Sequence, residues 1–243
     1  MKKVTSWVDK FCRELPKEEQ TLCYQLKTNF NEMLADSDKR GYLRSELKVT
    51  KGEEGRVNSE YVIENVRKVT DAFNKFSSMY SDKERQKKFI ELNKPYGMTK
   101  TDLNYLFYSQ SVFVFLQNIE AFRAFLLFIM KLPIHYEVKG KIEKINSKTT
   151  LGKLLKGFKE LGIRKTDALS NIDYNLRNGL SHGLFWLHEQ GDSEHSKPHL
   201  HYSKDITFKN IKWIAFDDLL SKARKQAIYT LCLLYVVGDW FDF

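Results

Sequence analysis

The chain has 243 residues, a formal charge of +9, 42% hydrophobic and 14% aromatic residues, 12 Gly and 4 Pro. That is enough apolar material for one large packed domain, or one domain with an extension, and it excludes a disordered chain. Sparse glycine and proline argue for helices over a barrel or sandwich, and the positive balance favours polyanionic partners.

From the N-terminus, MKKVTSWVDKF turns polar too early for a signal peptide. Val4, Val8, Phe11, Cys12 and Leu15 mark an amphipathic helix over residues 4–15. Pro16 starts a second over 17–35, with Leu22, Leu26, Phe30, Met33 and Leu34 as its stripe. Residues 36–58 are polar and hold Gly41, Gly52 and Gly55, and Lys51 to Ser59 reads as a loop. Asn58 or Ser59 caps the next helix, whose Val62, Val66, Val69, Phe73, Phe76 and Tyr80 form an a/d seam. The charged run from Ser81 to Lys88 reads by default as a solvated helix face, with phosphate contact as the sharper alternative. Pro95-Tyr96-Gly97 then breaks the chain, and the domain boundary is placed here, with 1–98 as an N-terminal helical extension and 99–243 as the main domain.

Thr99 or Thr101 caps a long helix reaching Lys131 before Pro133. Leu103, Leu106, Phe107, Phe113, Val114, Leu116, Phe122, Phe125, Leu126, Phe128 and Ile129 make it apolar nearly all round, as for a central helix. Gln117, Asn118, Glu120 and Arg123 interrupt its most apolar stretch, so it is not read as a membrane span, and a soluble cytoplasmic protein is expected. Glu120 has two candidate partners, Arg123 one turn on or the Arg177 and His182 pair described below. Residues 138–147 read as a short basic helix. LGKLLKGFKELG, 151–162, is amphipathic and ends at Gly162. Thr166-Asp167 caps a segment with Ile172, Tyr174 and Leu176 that continues as helix to about His188. After a polar loop, Gln190 to Pro198, the runs His199 to Ser203, Ile206 to Phe208 and Ile211 to Phe216 suggest a small β-hairpin between helices. Asp217-Asp218 caps a terminal helix with a wide apolar surface from Leu219 to Tyr235.

The chemistry concentrates in LRNGLSHG, residues 176–183. On an α-helix Asn178 and His182 are i,i+4 neighbours, whereas Arg177 lies about 140° round the axis from His182. Convergence of all three therefore needs a bending Arg side chain, a helix loosened at Gly179, or a second copy from a dimer. A titratable imidazole beside a permanent cation suits proton transfer next to an anionic, phosphate-like transition state.

The arrangement R-N-x-x-x-H, with Gly183 following and a preceding helix that carries an acidic residue, FLQNIEAFRAFLL, resembles the HEPN (higher eukaryotes and prokaryotes nucleotide-binding) domain family over about residues 100–240. The resemblance implies an all-α fold, a helical bundle of HEPN type, here with a small β-hairpin insertion and the N-terminal helical extension. It further implies a homodimer whose two motifs line one cleft. Many members are metal-independent endoribonucleases of toxin–antitoxin, abortive-infection or other antiviral systems, which implies RNA and an antitoxin or defence-system protein as partners. In that chemistry His182 serves as general acid or base and Arg177 stabilises phosphate charge. Asn178 orients either group, and Glu120 positions Arg177. Other members only bind nucleic acid or assemble with proteins. One subgroup carries tyrosine two residues after the motif histidine; here that position is Leu184, which separates this chain from the partner-modified toxins of that subgroup.

No cofactor motif is present: there is no P-loop, dinucleotide-binding glycine pattern or G-x-S-x-G elbow. Cys12, Cys23 and Cys232 are scattered and read as reduced core thiols. His188, His195, His199 and His201 raise the question of a metal, since His199 and His201 would share a strand face, but no familiar ligand spacing completes it, and no metal site is assigned. A histidine-rich hairpin touching RNA is the other reading. Trp186, Trp213 and Trp240 are expected as core or interface anchors.

Overall fold

Side-chain caps at Asp82, Thr99, Thr150 and Asp173 start four of the helices in the computed structural model, which describes residues 2–44, 53–169, 172–188 and 197–241. Among these the chain is mainly helical, with eight α-helices and two small antiparallel sheets. Two units assemble from interleaved stretches: Met1–Glu64, Glu120–Ile172 and Ile228–Phe243 form the first, and Asn65–Ile119 and Asp173–Ala227 the second.

The first unit contains α1 (Lys2–Glu14), α2 (Lys17–Lys39), the start of α3 (Glu53–Tyr80) and the second part of α5 (Lys100–Ile129). It continues with β1 (Ile134–Val138), β2 (Lys141–Ile145), α6 (Leu151–Glu160) and the end of α8 (Phe216–Phe241). The expected stripes are buried: Val8, Phe11 and Cys12 on α1, and Leu26, Phe30, Met33 and Leu34 on α2. Phe30 packs against Phe122 at 5.8 Å and Tyr229 at 6.5 Å between ring centroids. The side chain of Val4 lies outside the described residues. Cys12, Cys23 and Cys232, far apart in sequence, meet in this core as free, buried thiols.

Two expectations are corrected here. Residues 138–147 are not a helix but part of the β1–β2 hairpin, in which Val138 pairs with Lys141. Lys139 and Gly140 both take positive φ, 51° and 73°, the conformation a two-residue hairpin turn needs, and Lys139 carries no sequence signal for it. The loop expected up to Ser59 is also shorter, because α3 already begins at Glu53. Asn58 and Ser59 are therefore interior helical residues; one glycine, Gly55, costs a helix only about 1 kcal/mol. Lys51 and Gly52 lie outside the described residues. α6 follows expectation, capped by Thr150, whose hydroxyl accepts from the Lys153 amide at 3.5 Å, and stopped at Gly162, φ +68°.

The second unit holds the rest of α3, then α4 (Lys83–Asn93), the first part of α5 and α7 (Tyr174–Ser181). Strands β3 (Phe185–His188), β4 (His199–Ser203) and β5 (Ile211–Ala215) and the start of α8 complete it. The α3 seam is buried at Val66, Val69 and Phe73, and the Val62 side chain lies outside the described residues. Its end joins an aromatic cluster: Tyr80 lies 5.1 Å from Phe107 and 4.8 Å from Phe216. α4 buries no residue, as expected of a solvated charged helix. A single 3-10 turn, Lys94–Tyr96, and Gly97 at φ +74° interrupt the helices at the expected proline–glycine break. Thr99, not Thr101, caps α5: its hydroxyl accepts from the Asp102 amide at 3.2 Å, and the Asp102 carboxylate accepts from the Thr99 amide at 2.8 Å.

By length and composition α5 could cross a membrane. Its buried residues serve both units, Leu103, Phe107 and Val114 in the second and Phe122, Phe125 and Leu126 in the first. It is not buried all round, however, because Tyr105, Leu106 and Phe113 are exposed. In α8, Asp217 and Asp218 occupy the first turn rather than the cap, where they still complement the helix dipole. Leu219, Ala223, Ala227, Ile228, Leu231 and Leu234 are buried along it.

Candidate active site

Asp173, rather than Thr166-Asp167, starts the helix that carries the motif. Its carboxylate accepts a hydrogen bond from the Leu176 amide at 3.0 Å and meets the Lys222 ammonium at 2.9 Å. Burial pushes the Asp173 pKa up, but the Leu176 amide and Lys222, with Lys212 further off, outweigh it and hold the carboxyl below its ordinary value. Thr166–Leu169 is a separate 3-10 turn, and the Asp167 side chain lies outside the described residues.

The helix does not continue to His188 but ends after Ser181. His182 is the C-cap residue, and Gly183 follows at φ +67°. The Leu184 amide donates to the Gly179 carbonyl at 2.8 Å and the Gly183 amide to Leu180 at 3.3 Å, the paired bonds of a Schellman stop. Gly183 is thus a helix terminator: the left-handed conformation there costs little only for glycine. The chain then turns into β3 and pairs with β4, Phe185 opposite Tyr202 and His188 opposite His199.

Nor is the helix loosened at Gly179. That residue is α-helical and buried because α7 packs tightly on β4. A Cβ there would stand 2.8 Å from the Ser203 carbonyl oxygen and 3.1 Å from the Tyr202 Cβ. The motif's central glycine is thereby explained by packing.

Arg177 and Asn178 are brought together directly. The Arg177 guanidinium donates to the Asn178 side-chain oxygen at 3.2 Å, and both are half-buried. His182 is exposed, and its amide donates to the Asn178 carbonyl at 3.1 Å. On α7, Asn175, Asn178 and His182 share one face. Glu120 belongs to the first unit and the motif to the second. Its carboxylate lies 3.9 Å from Arg123, the partner one turn along its own helix. Arg123 in turn donates to the Thr149 carbonyl at 2.8 Å and the Ser147 carbonyl at 2.9 Å, fastening the turn before α6.

A cleft of about 250 Å³ beside α7 is lined by Asn175, Tyr202, Lys204, Asn210 and Lys212. Two ammonium groups and two amides around an open depression suit an anionic ligand. Apart from Tyr202, which lies in the expected β run His199 to Ser203, these residues carry no motif in the sequence. The pairing of β4 with β5, Tyr202 opposite Lys212, and the packing of α7 on β4 bring them together, and no local spacing announces it.

Trp186 and Trp213 are 37% and 51% exposed on one face of the β3–β4–β5 sheet, so of the two expected roles, core or interface anchor, the core role does not hold for them. Trp240 does anchor, donating to the Asn31 side chain at 2.5 Å. His195 lies outside the described residues. Comparison with known proteins gives no match to a family model, to a curated protein or to a solved structure.

Proposed function

We propose that the chain is a metal-independent endoribonuclease of HEPN type, acting as a cytoplasmic homodimer in prokaryotic defence or a toxin-like stress response. The observation that carries the reading is the Arg177–Asn178 side-chain contact with His182 exposed at the end of the same short helix. A permanent cation and an accessible imidazole are held within five residues of each other, beside a cleft that contributes Lys204 and Lys212.

In this mechanism the RNA 2′-hydroxyl attacks the adjacent phosphorus and the 5′-oxygen leaves, giving a cyclic phosphate and a 5′-hydroxyl. His182 takes or supplies the proton, and Arg177 stabilises the charge on the phosphoryl oxygens. Asn178 orients the guanidinium through its side-chain oxygen. Because His182 projects from the helix end, a second copy of the motif across a dimer supplies the complementary acid or base. The alternative from a different class, a HEPN-like module that only binds nucleic acid or a partner protein, uses the same basic cleft.

The test is incubation of wild type and His182→Ala with mixed RNA in EDTA, with product ends mapped. Cleavage by wild type alone, leaving cyclic phosphates, is expected. A folded, dimeric wild type that binds RNA without cutting it would replace the nuclease by the binding module. Mixing Arg177→Ala with His182→Ala chains is expected to restore part of the activity if each site draws on both copies.

A further inference from the structure

We propose that His188, His199 and His201 form a three-histidine site for a divalent transition metal of the zinc class, a site distinct from the Arg177–His182 motif and independent of the nuclease reading. Antiparallel pairing puts His188 of β3 directly opposite His199 of β4, and the pleat puts His201 on the same face two residues on. The three ring centroids form a nearly equilateral triangle, with sides of 4.7, 4.9 and 4.9 Å. Imidazoles sharing one tetrahedral ion, at nitrogen distances of about 2.0–2.1 Å, have ring centroids about 5 Å apart. One ligand nitrogen from each ring already lies within 4.8 Å of the others. The His188 and His199 rings are stacked at 12°, so the set closes when one of them tilts out of the stack and both lone pairs aim at one ion.

A second observation concerns orientation. The Nδ1 of His199 lies 2.9 Å from the Lys197 carbonyl oxygen. A carbonyl can only accept, so Nδ1 carries the proton and Nε2 of the neutral ring presents its lone pair. A backbone carbonyl that fixes the tautomer in this way is the usual support of a metal-bound histidine. His199 is fully buried, and the Nε2 of His188 and Nδ1 of His201 are shielded from solvent, yet the His188 and His201 residues are only half-buried. An ion therefore has a way in and a dry seat. Trp186 lies 5.1 Å from the His201 ring and Trp213 6.0 Å from His199, flanking the site with apolar surface. The fourth position, which no protein side chain fills among the described residues, falls to water. Such an ion ties β3 to β4, the strands on either side of residues 189–198, and so acts as a structural clip.

The experiment is titration of the purified full chain, stripped with chelator, with zinc against a chromophoric competitor, and with cobalt(II) as a spectroscopic probe. One ion per chain is expected, with the visible bands of tetrahedral cobalt and no thiolate charge-transfer band. His188→Ala and His201→Ala, both at half-buried positions, are expected to weaken binding by more than about 100-fold, beyond the cost of losing an outer-shell partner. Circular dichroism of each variant confirms that it is folded. Absence of stoichiometric binding by wild type overturns the proposal, and so does undiminished binding by the folded histidine variants. A thiolate-to-cobalt band also overturns it, by placing the ion on Cys12, Cys23 and Cys232. RNA cleavage is scored separately and bears on none of these outcomes.

Discussion

Removing the Asp173 carboxylate should unfasten the helix that presents the motif. α7 has only 8 residues, too short to be stable on its own, so its cap matters more than in a long helix. In Asp173→Ala the Leu176 amide loses its acceptor, and Leu176 is fully buried. Loss of such a cap costs about 1 kcal/mol. The Lys222 pair, whose side chains are 40% and 23% exposed, adds about 0.5 kcal/mol after screening. The sum is about 1.5 kcal/mol. Asp173→Asn keeps a cap acceptor and loses mainly the charge, so it should cost about one third as much.

The pH dependence follows from the direction of the shift. The folded carboxyl titrates below its unfolded value, so its contribution is complete above the unfolded pKa and is lost as pH falls through the folded one. The deficit of Asp173→Ala should therefore be full at neutral pH and shrink under acid conditions. Urea unfolding of wild type and both variants, at neutral and acid pH, measures it. Equal losses for the alanine and asparagine variants, or a deficit that does not change with pH, would refute the reasoning.

Gly179→Ala should destabilise by about 1–3 kcal/mol, read by thermal or urea unfolding, because the new methyl meets the β4 backbone rather than a flexible side chain. His182→Ala should change unfolding stability by less than about 0.5 kcal/mol, since the ring is exposed, while abolishing RNA cleavage. Glu120→Gln should leave cleavage within about twofold of wild type, as expected if its charge serves Arg123; a loss of about 100-fold would instead assign it the positioning of Arg177.

Most helices were legible because their signals are local. The stripes of α2 and α6, the seam of α3 and the proline–glycine break before α5 each lie within a few turns of chain. The motif was legible as residues, but its surroundings were misread. LSHGLFWLH carries leucines at helical spacing, and that periodicity masks the stop signal of Gly183 directly after His182. The stop depends on Gly183 adopting positive φ, and the strand that follows exists only because β4 lies ready to pair with it.

By itself, then, the sequence determined a mainly helical chain, its principal helix faces, its basic charge and the Arg177, Asn178 and His182 set. The tertiary structure alone decided that Gly179 is a packing glycine and that Lys204 and Lys212 share a cleft with Asn175. It also decided that three distant cysteines meet in one core and three histidines on one sheet face. The physical reason is common to all of these. Helical hydrogen bonds close within four residues and are written in local periodicity, whereas strand pairing and side-chain clusters join residues whose separation along the chain carries no signal.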